Sequence, residues 1–135
     1  RSLTDEAEPY RTVYVPALRS MMSPMQETFD FPDPSQIKGQ REVTTVSPQA
    51  LFFLNGDLST KLAQSAAERL LSEKHPDAAS RVKSAYLQVI GRKADASEVS
   101  DALQMMKELS VRDEASRWSV LIQALMSSAE FRYVF

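Results

Sequence analysis

The sequence predicts an all-α fold: a small bundle of four to five short amphipathic helices over residues 47–135. A proline-rich, largely irregular or extended arm precedes it over residues 1–46. Three observations lead there. After Ser47 the apolar residues recur at the spacing of one helix face. Each apolar stretch is bounded by a capping residue, a glycine or a proline. Before Ser47, Pro9, Pro16, Pro24, Pro32 and Pro34 interrupt every candidate element. Each proline ring removes a backbone donor and pushes its predecessor toward extended geometry.

Within the arm, "RTVYVPAL" reads as a short strand or extended segment, with Val13 and Val15 on one side and Tyr14 on the other. "SPMQETFDF" offers Ser23 as N-cap and Pro24 at the first helical position, which predicts one or two helical turns. "DFPDPSQIKGQ" is loop by composition. The arm also carries Tyr10, Tyr14, Leu18, Met21, Met22, Met25, Phe29 and Phe31, more large apolar residues than a disordered tail holds. The expectation is an arm packed over the helical half, or over sequence lying upstream.

The bundle begins at Ser47-Pro48, read as cap and first turn, with Leu51, Phe53 and Leu54 buried and a stop at Asn55-Gly56. Asp57 or Ser59 then caps a second helix with the stripe Leu62, Ala63, Ala66, Ala67, Leu70 and Leu71. His75-Pro76-Asp77 closes that helix and opens the third, which carries Val82, Ala85, Tyr86, Val89 and Ile90. Gly91 supplies a left-handed residue at its end. Asp95, with Glu98 three residues on, forms a capping-box start for the fourth, which runs through Val99, Ala102, Leu103, Met106 and Leu109. Asp113 opens the fifth, through Trp118, Leu121, Ile122, Leu125 and Met126. Ser128 restarts a terminal turn before Phe131, Tyr133 and Phe135.

Composition narrows the chemistry. The 135 residues are 43% hydrophobic and 25% charged, with a net charge of −2, so there is enough apolar material for a core and no field favouring a nucleic acid. With no cysteine, the chain has no disulfide, thiolate nucleophile or covalent haem attachment of its own. No apolar run reaches the roughly 18–20 residues a membrane span requires. The single histidine, His75, sits in a polar loop and reads as solvated. Three glycines, Gly39, Gly56 and Gly91, form no phosphate-binding loop. Asp30 with Asp33, or Asn55 with Asp57, lacks the ligand ladder of a calcium loop and reads as turn and cap chemistry. Arg69, Arg81, Arg92 and Arg117 read as solvated charges, and Arg112 as a complement to a helix C-terminus. Met106 reads as core, and Met21, Met22 and Met25 as an adaptable interface.

Three runs, "REVTTVSPQALFFLNGD", "AYLQVIGRKADASEV" and "WSVLIQALMSSAEFRYVF", carry a resemblance. They are similar to the C-terminal end of planctomycete-specific domain one, a domain of unknown function. Arg41, Thr44, Gln49, Ala50, Leu51, Leu54 and Asn55 fall on its first run, Gly91 and Arg92 on its second, and Leu125, Ser128, Glu130 and Phe131 on its third. The chain departs at Lys93-Ala94-Asp95, where a proline-containing helix start is usual, and at Thr45, where many members have Asn. The resemblance spans the chain from about "RTVYVPALR" to its end. It implies the tail of a large exported protein, following another helical domain and often an N-terminal cytochrome-c-like module. Any haem would then be bound by upstream residues, and no catalytic residue is transferred.

The functional expectation is a non-catalytic helical structural or interaction module, with no cofactor of its own, at the C-terminal end of a larger exported cell-envelope protein. The first residue, Arg1, is taken as internal to a longer or processed polypeptide whose targeting signal lies upstream. Its partner would be the upstream part of its own polypeptide or another protein. Arg41, Thr44, Gln49 and Asn55 would fix the arm-to-helix turn by hydrogen bonding to backbone. The alternatives are the C-terminal part of an envelope enzyme acting on polysaccharide, or a scaffold for an upstream c-type cytochrome module.

Overall fold

A computed structural model describes residues 14, 24–29, 39, 46–110 and 113–133. Helices take in 79% of the described residues and no strand occurs among them, which settles the all-α class. The helices are α1 (Pro24–Thr28), α2 (Val46–Asn55), α3 (Asp57–Ser72), α4 (Ala78–Val89), α5 (Ala96–Glu108), α6 (Glu114–Ser127) and α7 (Ala129–Arg132). Five of them have ten residues or more, and α7 is a single terminal turn.

The chain divides into two units, Arg1–Phe52 and Phe53–Phe135. In the first, α1 is the turn expected after Pro24, closed by the Phe29 amide donating to the Met25 carbonyl at 3.1 Å. Gln26 on this turn is buried, and Phe29 meets Phe52 edge to face at 5.6 Å between ring centroids. Tyr14, in a 3-10 turn, is exposed. The rest of "RTVYVPAL", most of "DFPDPSQIKGQ", and Arg112 and Phe135 lie outside the described residues.

The second unit is built around α6. Its stripe Trp118, Leu121, Ile122, Leu125 and Met126 follows i, i+3, i+4, i+7, i+8 and is buried throughout. Helices α3, α4, α5 and α7 all pack on it, α3 most extensively. The α3 side of that seam is made of small residues: Ser59, Ala63 and Ala67 are fully buried, with Leu70 closing the row. Short side chains let two helix axes approach closely, so α6 supplies the bulk and α3 the groove. Val82 and Ala85 of α4 and Val99, Ala102 and Met106 of α5 complete the core, with Tyr86, Val89, Ile90 and Leu103 packed at its margin.

The helix ends follow the expected chemistry. Asp77 caps α4 by accepting from the Ser80 amide, and Asp113 caps α6 through Ser116. Asp95 and Glu98 form a complete capping box on α5, and Ser128 caps α7 through the Phe131 amide. Gly91 takes φ +86°, the left-handed conformation that ends α4. Two ends differ from expectation. Helix α2 begins at Val46, so Ser47 and Pro48 lie inside its first turn. The N-cap of α3 is Gly56, with Asp57 the first helical residue; the Ser59 hydroxyl donates back to the Gly56 carbonyl at 2.8 Å.

Burial corrects three further expectations. Leu51, Leu54 and Leu62, read as core, are 57%, 50% and 51% exposed, while Phe53 is packed against the bundle as expected. His75 is not solvated, since its side chain is 13% exposed. Arg81 is not a free surface charge either. It is bonded to Glu114 at 3.3 Å and its guanidinium stands 5.6 Å over the Trp118 ring.

Candidate functional site

Of the four residues expected to brace the hinge, Gln49 is half-buried on α2 and Asn55, its last residue, is exposed. Residues six apart on a helix stand about 120° apart around its axis, so these two do not share a face. Arg41 and Thr44 lie outside the described residues. The polar constellations that do assemble in the second unit are built from residues far apart in sequence.

The first closes the α2–α3 turn. A helix leaves its last carbonyls without intrahelical donors, and the Asn55-Gly56 break strands those of Phe53 and Leu54. The Gln123 side-chain amide, on α6, reaches them. Its Nε2 lies 2.8 Å from the Leu54 carbonyl, 3.1 Å from Thr60 Oγ1 and 3.5 Å from the Phe53 carbonyl. Below it, the Thr60 hydroxyl and amide both donate to the Gly56 carbonyl at 3.0 Å. One side chain of α6 thereby ties the end of α2 to the start of α3.

The second constellation centres on Arg92, directly after the left-handed Gly91. Its Nη2 and Nη1 donate to the two carboxylate oxygens of Glu98 at 2.6 and 2.8 Å. Nε and Nη2 donate to the two oxygens of Glu130 at 2.5 and 2.8 Å. The guanidinium also lies 5.8 Å over the Tyr86 ring and donates to the Lys93 carbonyl. This double fork fixes three elements at once: the end of α4, the start of α5 and the terminal turn α7. Around the same turn, Phe131 meets Phe53 edge to face at 5.3 Å.

The electrostatics follow the geometry. The Arg92 guanidinium, and then the Asp95 amide, hold the Glu98 carboxyl down at about 2. Arg92 holds Glu130 below its ordinary value as well, against the opposing charge of Glu98. Arg92 itself is raised by the same carboxylates. Burial raises the Tyr86 phenol, and Glu98 adds to that. At neutral pH these two carboxylates, held ionised around one engaged guanidinium, do not present the protonated acid that glycoside hydrolysis needs. Nor does this arginine offer a free fork to an incoming anion.

The third cluster lies at the α3–α4 corner. Glu73 accepts from Gln88 Nε2 at 3.2 and 3.3 Å, and Gln88 bonds Ser84 at 3.2 Å. His75 Nε2 stands 3.3 Å from Glu73 Oε2 without meeting hydrogen-bond geometry, and Arg69 lies 3.8 Å from the other oxygen. Glu73 and His75 are two potential metal ligands, and no group of three forms among the described residues. These constellations escaped the sequence reading because each depends on long-range partners. The one visible signal was Gln123 itself, an amide amid the apolar residues of α6.

Compared with known families, residues 2–106 match PSD1, proteins of unknown function (DUF1553). The chain belongs to that family. The PSD1 match takes in α1 to α4 and most of α5, and with them Gln49, Asn55, Arg92 and Glu98. Gln123 and Glu130, which complete the two clasps in this PSD1 chain, lie beyond it, as does the closing run that carried part of the resemblance. No curated protein and no solved structure matches the chain. No helix among the described residues is long and apolar enough to cross a membrane.

Proposed function

We infer that this PSD1 chain is a non-catalytic helical module at the C-terminal end of a larger exported cell-envelope protein. It docks against the upstream part of its own polypeptide or against a protein partner. The observation that carries this reading is the engagement of its strongest polar groups. Arg92, Glu98 and Glu130 fork into one another, and Gln123 is turned onto backbone carbonyls, so these groups hold helices together and are not themselves poised as acid, base or anion-binding fork. The exposed Leu54, Leu62 and Leu87 supply apolar surface suited to a partner. The larger exported context, and the bracing role of Arg41, Thr44, Gln49 and Asn55, rest on the family resemblance of the sequence runs.

The test compares amide hydrogen exchange in this chain alone and within the longer polypeptide. Slower exchange of α2 and α3 in the longer polypeptide is the expected result. Equal exchange in both, or release of reducing ends from envelope polysaccharide that Glu98→Gln abolishes, overturns the reading.

A further inference from the structure

We propose that Asn55-Gly56 is a site of spontaneous covalent modification, at which the Asn55 side chain cyclises onto the backbone and deamidates. Asn55 is the only asparagine in the chain, and a glycine follows it. It is exposed, and it is the last residue of α2. Gly56 leaves the helix in extended conformation, φ −72° and ψ 137°, and has no Cβ to shield its amide nitrogen. Helix ends open at low free-energy cost, so the backbone rotation that brings this nitrogen to the Asn55 side chain needs no unfolding of the core.

The chemistry balances without a cofactor. The Gly56 nitrogen attacks Cγ of Asn55; the N–Cγ bond forms, the Cγ–Nδ2 bond breaks, and ammonia leaves with the amide proton. Water then opens the five-membered imide at either carbonyl. Opening at Cγ returns an aspartate with the backbone intact. Opening at the main-chain carbonyl gives isoaspartate, in which the chain runs through the former side chain and gains one carbon.

The position gives the reaction a structural consequence. The new carboxylate lies at the C-terminus of α2, where the helix dipole opposes negative charge, and two residues before the existing charge of Asp57. The extra backbone carbon of the isoaspartate product falls between the Leu54 carbonyl and Thr60, the two groups that Gln123 holds together. Modification therefore strains the clasp from within.

The experiment incubates the folded chain at neutral and mildly alkaline pH and follows the peptide containing residue 55 by mass spectrometry, with Asp and isoAsp products separated by chromatography. A free peptide of sequence Phe52–Ser59 runs in parallel. The expected result is an amide-to-acid mass gain confined to that peptide, both isomers present, and a rate rising with pH. The folded chain should react within about tenfold of the free peptide, as the low opening cost of a helix end requires. Asn55→Gln should abolish the gain, and Gly56→Ala should slow it several-fold in both the chain and the peptide. A folded chain that keeps its amide while the free peptide converts fully overturns the proposal.

Discussion

Replacing Gln123 tests whether the α2–α3 turn is held from across the bundle. The amide has two N–H hydrogens and faces three oxygens, those of Leu54 at 2.8 Å, Thr60 at 3.1 Å and Phe53 at 3.5 Å. The two shorter contacts take the two hydrogens, and the alternative flip of the amide is excluded because it would set a carbonyl among three acceptors. In Gln123→Ala both bonds go. Each contributes about 0.5–1.5 kcal/mol net, and water can reach the partly exposed end of α2, so the loss should be about 1–2 kcal/mol. For a bundle of this size each kcal/mol lowers Tm by about 4–8 °C. Gln123→Glu is the sharper probe. It keeps the shape and replaces the donor with an anion facing oxygen atoms, so at neutral pH it should cost more than Gln123→Ala. Acidification should recover part of that extra cost, since a protonated Glu regains one donor. The assay is urea or thermal unfolding at neutral pH and again near pH 4, with hydrogen exchange at residues 54–60 as the local readout. If Gln123→Glu is as stable as the parent chain at neutral pH, or if exchange at the turn is unchanged, the clasp does not operate.

Other consequences are simpler. Leu70→Ala removes a fully buried side chain from the α3 row and should destabilise by about 2–5 kcal/mol in denaturant unfolding. Gly91→Ala meets no neighbouring atom, so its cost should be the conformational one alone, about 1–2 kcal/mol for a left-handed residue. Glu98, Glu130, Asp77 and Asp113 all bind protons more weakly in the fold than in the unfolded chain. Their stabilisation should be whole above pH 4.5, the ordinary value of a Glu carboxyl, and should fall away as pH drops below it, that of Glu98 persisting toward about 2, measured by melting across the acid range. Glu98→Gln should flatten part of that dependence. Replacing the exposed Leu54 and Leu62 by Ser should change stability by no more than about 0.5 kcal/mol each while weakening association with the longer polypeptide, read by analytical ultracentrifugation.

What the sequence made legible was local. The α6 stripe from Trp118 to Met126, the caps at Asp95 and Ser128, and the helix starts at Asp77 and Asp113 depend on residues three or four apart, and all stand as read. The left-handed Gly91 belongs with them. The errors arose where an apolar residue was equated with a buried one. Leu51, Leu54 and Leu62 show that the rule runs one way only, because a small domain must leave much apolar surface in water. His75 fails in the opposite sense: a polar residue in a loop has its side chain largely removed from water. The partners within the clasps were not legible. Arg92 finds one partner 6 residues away and the other 38 away, and Gln123 finds its acceptors 63 to 70 residues back. No periodicity encodes such pairs.

The family match and the packing bound this domain differently, and the packing is the stronger guide. Residues 2–106 stop short of α6, yet α6 is the helix on which α3, α4, α5 and α7 all rest. Ala63, Ala67 and Leu70 are removed from water beneath an interface whose largest partner is α6. Without Trp118, Leu121 and Ile122 the small residues of α3 would face solvent as a shallow groove, and burying an alanine alone contributes far less than the roughly 1.5–3 kcal/mol of a large apolar side chain. The polar evidence agrees: Arg92 lies inside the match but needs Glu130 beyond it to complete its double fork, and the carbonyl of Leu54 needs Gln123. A cooperative unit therefore runs at least from the end of α2 through α7. Within it the matched segment supplies the surfaces that α6 and α7 close.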